Sequence, residues 1–204
     1  MSSMTTRQAS HPGEYRFFVA LIPPPEVQEA ALQIIQELGD RFQTSTAKAP
    51  PHITLYPPFL WTDSDRLLET LTAIAQTQAP IDITLSGFAA FPPRVLYLHV
   101  EPTPGLMDLQ TNLSQQLEQH LGIVDPVEQR RGFTPHLTVA SRNVTRPTFR
   151  TAWSDLQHRE FTASFRSDRL SLLRHNRRYW EAVEDCPLAT RTGQSSQAPP
   201  VPPM

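Results

Sequence analysis

The chain has 204 residues, of which 39% are hydrophobic and 19% are charged, and its formal net charge is −2. This composition is ordinary for a soluble protein that forms one full-sized domain or two small fused lobes. No apolar run approaches the roughly 20 residues that span a membrane, so we expect no membrane partner. The single cysteine, Cys186, excludes an internal disulfide, and we expect a cytoplasmic setting and a structural or surface thiol.

The first half of the chain predicts strands that alternate with helices, because apolar runs and apolar residues at helical spacing follow one another. We expect the first helix to end near Gly39, and Pro57 with Pro58 to close the second strand. Asp63 or Ser64 is the expected cap of the second helix. In order, we predict a flexible leader over 1–13, a strand over 15–22, a helix over 25–38, a strand from 51, a helix from about 63, a strand over 81–85 and a turn-rich bridge over 87–93.

The second half continues in the same way and ends in a polar segment. Gly122 is the expected stop of a long helix, and residues 175–178 read as the turn of a hairpin. The final segment is rich in proline, which predicts a disordered or polyproline-like tail. In order, we predict a strand over 95–100, a helix over 104–121, a strand from 135, a short helix over about 148–157, strands over 160–166, 169–174 and 179–183, and the tail over 189–204.

Charge is distributed unevenly between the two parts of the chain. Residues 1–129 carry 6 basic and 14 acidic side chains, a balance of −8, whereas residues 130–204 carry 12 basic and 6 acidic side chains, a balance of +6. All 12 of those basic residues are arginine, whose planar donor fork matches phosphate. The C-terminal part is therefore either a solvated arginine-rich surface or a lobe that attracts anions.

Two five-residue motifs, Pro51–Leu55 and Pro135–Val139, both read proline, histidine, aliphatic, threonine, aliphatic. Each follows a strand, a proline turn, a helix and a loop, so the chain contains two copies of one unit. Duplicated units commonly pack about a pseudo-twofold axis, where equivalent residues meet. One motif alone would favour a packed core histidine, but the repeated motif favours a site.

Each motif places an imidazole and a hydroxyl on one face of a strand. Residues two apart share a face, so His52 projects with Thr54, and His136 projects with Thr138. Such a set suits cleavage of a phosphodiester, in which one histidine takes a proton from water and the other protonates the leaving oxygen. No metal is required, and His52 with His136 lacks an obvious third metal ligand.

These motifs and their context resemble the 2H phosphoesterase superfamily, in the branch of 2′-5′ RNA ligase-like (LigT-like) proteins. The resemblance covers about residues 15–188. It also rests on an opening strand over 17–21, on a middle segment made of 85–88 and 91–97, and on a closing hairpin made of 170–172 and 179–180. It implies a bilobal, duplicated α+β domain over 14–188. In that fold two mostly antiparallel sheets, each backed by helices, are related by a pseudo-twofold axis with a central cleft.

The resemblance implies a protein without cofactors that hydrolyses 2′,3′-cyclic phosphate ends of RNA to a 2′-phosphomonoester. Some members also show reversible 2′-5′ ligation. His52 would be the proton donor and His136 the proton acceptor, and Thr54 and Thr138 would bind phosphate.

The arginine pattern departs from the family. Members often carry arginine five residues after the second histidine, where this chain has Ser141 and then Arg142. On a regular strand Arg142 would share the face of His136. Arg131 is the other candidate for phosphate contact.

Two alternatives remain open for the function. One is the same chemistry on a small cyclic nucleotide, and the other is a non-catalytic module that binds RNA in the same cleft. Aromatic residues near the cleft would stack a base, although core packing explains most of them; they are Phe59, Phe88, Phe91, Tyr97 and Phe133. For His99 we expect a packing role. We expect a monomer whose partners are RNA ends or a cyclic nucleotide substrate.

Overall fold

A computed structural model of the chain describes residues 13–125 and 131–189. The predicted leader over 1–13 and tail over 189–204 fall, apart from Gly13 and Ala189, outside the described residues and stay predictions. The described elements are β1 (Tyr15–Leu21), α1 (Pro25–Phe42), β2 (Ile53–Trp61), α2 (Ser64–Gln76), β3 (Ile81–Phe91), β4 (Val95–Val100), α3 (Pro104–Leu121), β5 (His136–Ala140), α4 (Arg146–Leu156), β6 (Thr162–Ser167), β7 (Arg169–His175) and β8 (Trp180–Pro187).

All eight strands belong to one antiparallel sheet, in the order β6-β3-β4-β5-β2-β1-β7-β8. The α+β class is confirmed, but one sheet takes the place of the two that were expected. The two motif strands are the reason, because β2 and β5 pair directly, with Ile53 opposite Leu137. This pairing joins four strands on each side and removes the two unpaired edges that separate sheets would present there. The pseudo-twofold relation and the central cleft stay predictions.

The aliphatic residues of both motifs belong to the main hydrophobic core. Ile53, Leu55, Leu137 and Val139 are completely buried, and they cluster with apolar residues of all four described helices. The histidine and the threonine of each motif are only half-buried. The alternation that the strand period predicts is therefore present in both motifs, and the core anchors the backbone that carries the polar groups.

Strand β2 does not end at its two prolines but runs on to Trp61. Its register with β1 shifts at this point, where Phe17 pairs with Phe59 and Val19 pairs with Tyr56. The prolines therefore lie in a bulge opposite Phe18, where the ladder needs no N–H donor from them. The expected strand end was wrong because proline at a bulge does not terminate pairing.

Two glycines also differ from their predicted roles. Helix α1 passes through Gly39 and ends at Phe42, with Gln43 as a left-handed cap at φ 58°. A Cβ on Gly39 would lie 3.3 Å from the carbonyl oxygen of Thr44, so close packing accounts for this glycine. Gly87, at φ 70°, lies within β3 at a shift of register, so the expected bridge over 87–93 is strand as far as Phe91.

The remaining helices follow their predicted signals closely. Asp63 caps α2 by accepting a hydrogen bond from the N–H of Arg66, at 3.0 Å. Helix α3 begins after Thr103 and ends at Gly122, which has φ 66°. None of the described helices is long and apolar enough to cross a membrane.

Cys186 lies within β8 and is buried in the main core. Its sulfur lies 3.7 Å from the hydroxyl of Thr72, and burial raises the pKa of the thiol. A buried thiol that stays protonated is a poor nucleophile, so Cys186 is a structural residue.

Candidate active site

His52 and His136 are held by the same local device. The ring Nδ1 of His52 donates a hydrogen bond to the carbonyl oxygen of Pro50 at 2.7 Å, and Nδ1 of His136 donates to that of Thr134, also at 2.7 Å. A carbonyl oxygen only accepts, so each Nδ1 carries a proton. The nitrogen that remains to exchange protons with a ligand is therefore Nε2 in both rings.

The proline of each motif has a local part in this arrangement. Pro51 and Pro135 are buried, and each stands between the histidine and the residue whose carbonyl holds it. The residue before a proline is biased toward extended backbone, which restricts the direction of that carbonyl. The motif itself therefore favours the matched 2.7 Å bonds, and this is a role that was not predicted for its proline.

The threonines lie across the β2–β5 ladder from the histidines. Because Ile53 is opposite Leu137, the antiparallel register puts His52 opposite Thr138 and Thr54 opposite His136. All four side chains are half-buried, on the face of the sheet opposite to the buried aliphatic residues. The threonine hydroxyls make no hydrogen bond to any other described residue, so both are available as donors.

Burial lowers the pKa of both histidines below the ordinary imidazole value of 6.5. The main cause is desolvation of the charged form, which the hydrogen bonds to the two carbonyls oppose. A positive charge on His136 lowers the pKa of His52 further, so the two imidazoles are close enough to interact. Both rings are therefore neutral at pH 7 in the free protein.

Aromatic side chains flank each histidine. On the β5 side, the rings of Phe91 and Tyr97 both have centroids 5.1 Å from that of His136. Tyr97 was expected near a cleft, and its burial raises the pKa of its phenol, which stays protonated. On the β2 side, Phe18 has its centroid 4.8 Å from that of His52 and 4.7 Å from Trp180.

Phe18 and Trp180 were missed as neighbours of the site. Phe18 reaches His52 through the pairing of β1 with β2, and Trp180 reaches it through the pairings of β1 with β7 and of β7 with β8. The β1–β7 pairing connects residues more than a hundred positions apart. Phe59 and Phe88, which were proposed as stacking groups, pack against the main core instead, as does Phe133.

The two candidate arginines differ from the histidines in their placement. Strand β5 ends at Ala140, so Arg142 lies beyond the regular strand from which its shared face was inferred. Its backbone forms an isolated bridge with Ser45, and its side chain is exposed. Arg131 is also exposed, and it directly follows the undescribed residues 126–130. Within the described part of the chain, neither arginine makes a hydrogen bond or an ion pair with a motif residue.

Other polar neighbours complete the surroundings. His99 on β4 is the cross-strand partner of His136, and its Nε2 lies 3.8 Å from a carboxylate oxygen of Glu101. Within residues 13–125 and 131–189, no group of three His, Cys, Asp or Glu side chains is placed to hold a metal ion. The arrangement thus offers two ring nitrogens and two hydroxyls, a set that can move protons and bind an anion.

The chain is similar in sequence to several bacterial proteins. It is 31% identical over 133 residues to a Bacillus pumilus protein named "Putative phosphoesterase", with 62% of this chain and 70% of the relative aligned. A Geobacillus kaustophilus protein with the same type of name is 28% identical over 162 residues, which are 78% of this chain and 87% of the relative.

The fold is similar to solved structures as well. A Thermus thermophilus protein aligns with a TM-score of 0.63 at 21% identity, covering 86% of this chain and 99% of its own. E. coli LigT, crystallised with 3′-AMP, aligns with a TM-score of 0.62 at 20% identity, covering 87% and 99%. The family described as the 2′-5′ RNA ligase superfamily matches residues 23–178, a span that contains both His-x-Thr strands. The chain therefore belongs to the 2′-5′ RNA ligase superfamily, a family of 2H phosphoesterases, as its two motifs indicated.

Proposed function

We propose that the protein is a metal-independent cyclic phosphodiesterase that hydrolyses 2′,3′-cyclic phosphate ends of RNA to 2′-phosphomonoesters. The observation that carries this proposal is the matched pair of Nδ1 hydrogen bonds on His52 and His136. It leaves two equivalent Nε2 atoms on adjacent strands, and one acid with one base is what hydrolysis of a diester requires.

In the proposed reaction His136 acts as the base and His52 as the acid. Nε2 of His136 takes a proton from water, and the water oxygen forms a bond to phosphorus. The bond between phosphorus and O3′ breaks, and the proton on Nε2 of His52 passes to O3′. The product keeps the phosphate on O2′, and each histidine ends in the protonation state opposite to its starting state.

The electrostatics of the free site suit a step that begins with anion binding. Both imidazoles are neutral when the site is empty, because desolvation lowers their pKa values. A bound phosphodiester brings a negative charge that favours protonation of one ring. The repulsion between the two rings disfavours protonation of both, so the occupied site holds one imidazolium and one neutral imidazole.

The threonines have the complementary part. Thr54 and Thr138 lie opposite the histidines, and their free hydroxyls are proposed to donate to the non-bridging oxygens as charge develops. E. coli LigT has been crystallised with phosphate and with 3′-AMP, which supports a phosphate-bearing ligand for this fold. The assignment of donor and acceptor follows the family resemblance.

One assay tests the proposal. Purified protein is incubated in EDTA with an oligoribonucleotide that ends in a 2′,3′-cyclic phosphate, and the end group is identified after the reaction. We expect conversion to a 2′-phosphate by the wild type and its loss in His52→Ala and His136→Ala. His158→Ala, at an exposed histidine outside the site, is the matched control. Full retention of activity by either site variant, or inhibition by EDTA, contradicts the mechanism.

A further inference from the structure

The hairpin between β7 and β8 is docked against the loop that leads into His52. The backbone N–H of Trp180 donates to the carbonyl oxygen of Lys48 at 2.7 Å. The Trp180 ring packs against Phe18, which in turn packs against His52. His175, the cross-strand partner of Trp180, has its ring centroid 5.0 Å from the indole. The hairpin tip is therefore joined to His52 by continuous ring contacts.

The turn of this hairpin is held in one conformation. The side-chain oxygen of Asn176 accepts hydrogen bonds from the N–H groups of Arg178 and Tyr179, at 3.2 and 3.0 Å. The N–H of Asn176 donates to the carbonyl oxygen of Tyr179 at 3.0 Å. Arg177 is consequently kept at φ 76°, a left-handed conformation that is uncommon for arginine. The tip presents its side chains from a fixed backbone.

Four cations at this end of the sheet have no acidic partner among the described residues. Arg177, Arg178 and Lys48 are exposed, and the guanidinium of Arg16 lies over the Trp180 ring at 5.6 Å. Elsewhere on β6 and β7 the arginines are paired, as Arg166, Arg169 and Arg174 are with Asp82, Asp168 and Glu181. Glu181, the acidic residue of β8 next to the turn, is already bound by Arg174 and Asn176.

The proposed reaction gives the two sides of the site different occupants. The acid must lie beside the leaving oxygen, which belongs to the ribose, and the base must lie beside the attacking water on the opposite side of phosphorus. With His52 as the acid, the nucleoside and the chain that precedes it lie on the side of His52. That is the side of the β7–β8 hairpin, and the side of Phe91 and Tyr97 receives the water.

We propose that residues 176–179, together with Trp180, Lys48 and Arg16, form a subsite for the RNA chain that precedes the cyclic end. This hairpin subsite deepens the proposed function and rests on it. The unpaired cations take backbone phosphates, and the ring of Tyr179, which is 48% exposed, stacks a base. A mononucleotide has its only phosphate at the histidines, so these cations select an oligonucleotide.

The test compares two substrates, each with two double variants and one single variant of the protein. Arg177→Ala/Arg178→Ala removes the tip cations, and Arg146→Ala/Arg150→Ala removes two exposed arginines of α4 as the matched control. Arg94→Ala removes the exposed cation beyond Phe91, on the other side of the site. The substrates are an oligoribonucleotide with a 2′,3′-cyclic end and a mononucleoside 2′,3′-cyclic phosphate, with kcat/KM measured at several salt concentrations.

We expect the tip variant to lower the ratio of kcat/KM for the oligonucleotide to that for the mononucleotide about tenfold or more. For the oligonucleotide, the slope of log kcat/KM against log salt concentration should become less steep by about 1.4, the value for two phosphate contacts to a single strand. The control variant should leave the ratio unchanged. An unchanged ratio in the tip variant, or a lowered ratio in Arg94→Ala instead, overturns the subsite.

A binding measurement separates this proposal from the proposed function. Fluorescence anisotropy with a 3′-phosphorylated oligoribonucleotide needs no turnover. We expect wild type to bind it more tightly than the tip variant by about tenfold, whether or not either cyclic substrate is hydrolysed. Hydrolysis of the mononucleotide with equal binding by the two proteins would leave the proposed function standing and the hairpin subsite refuted.

Discussion

Ile53 on β2 lies directly opposite Leu137 on β5, and this pair joins the two halves of the eight-stranded sheet. Both side chains are completely buried, so the contact that carries the motif strands is part of the main core. The residues on either side of it are the histidines and threonines of the proposed site. The relative position of these four polar groups therefore depends on how this pair packs.

Shortening Leu137 should impair activity beyond its effect on stability. Leu137→Ala is expected to lower the free energy of unfolding by about 2–5 kcal/mol, the usual cost of emptying a fully buried leucine site. It should also lower kcat/KM, because the β2–β5 ladder can then shift. Leu85→Ala, at a residue equally buried but on β3, is the matched control. Urea unfolding measures the stability of both variants, and kcat/KM is measured under conditions in which both are folded. An equal loss of activity in the two variants would contradict this expectation.

Replacing a motif threonine should affect the transition state more than the fold. Thr54→Val and Thr138→Val keep the side-chain shape but remove the proposed oxyanion donor, so each should lower kcat by about 10²–10³. Thr54→Ser and Thr138→Ser should restore most of the activity because they return the hydroxyl. Thr151→Val on α4 serves as the comparison. A rate loss that serine does not recover would assign the threonines to packing.

How far the sequence predicts this molecule depends on whether a signal is local. The two strands and the faces of His52 and His136 follow from a period of two within five residues, and the structure has both. The strand end predicted at Pro57 was wrong because the prolines lie in a bulge opposite Phe18 of the neighbouring strand. The helix end predicted at Gly39 was wrong because this glycine is required by the close approach of the Thr44 carbonyl oxygen. Local pattern does not reveal such partners.

The surroundings of His52 show the same limit. Phe18 and Trp180 meet only because β1 pairs with β7 and β7 with β8, and nothing in either segment alone indicates the other. The single sheet was missed for a related reason, since repeated units suggest two separate lobes but not the β2–β5 pair between them. A usable signal did exist in the repeated Pro-His step, which restricts the carbonyl that holds each ring.

The stability of the ligand-free protein should fall as the pH is lowered through 6.5, the ordinary pKa of imidazole. The pKa values of His52 and His136 are below 6.5 in the folded protein, so between those values and 6.5 the unfolded chain binds more protons. The free energy of unfolding therefore rises with pH in that window and is constant above it. The pKa values of Glu37 and Asp155 are also lowered, but these carboxylates change the free energy of unfolding only at a pH near or below their ordinary pKa values of 4.5 and 3.8.

Urea unfolding from about pH 8 to about pH 5 measures this dependence. His52→Asn/His136→Asn, which cannot titrate at these positions, should show a flatter profile. Inorganic phosphate should stabilise the wild type more at the acidic end, because the anion favours the charged imidazoles. Identical profiles for the two proteins would show that the histidines are not desolvated.

The roles of the two histidines can be separated by changing the leaving group. In a cyclic substrate whose 3′-bridging oxygen is replaced by sulfur, the leaving group is a thiolate, which needs little protonation. The attack by water on phosphorus is unchanged. If His52 is the acid, His52→Ala should recover most of the wild-type rate on this substrate, and His136→Ala should stay inactive. The two rings have matched Nδ1 bonds and similar burial, so geometry alone does not rank them. Recovery by His136→Ala instead would reverse the assignment and would move the ribose, with the RNA chain behind it, to the side of Phe91 and Tyr97.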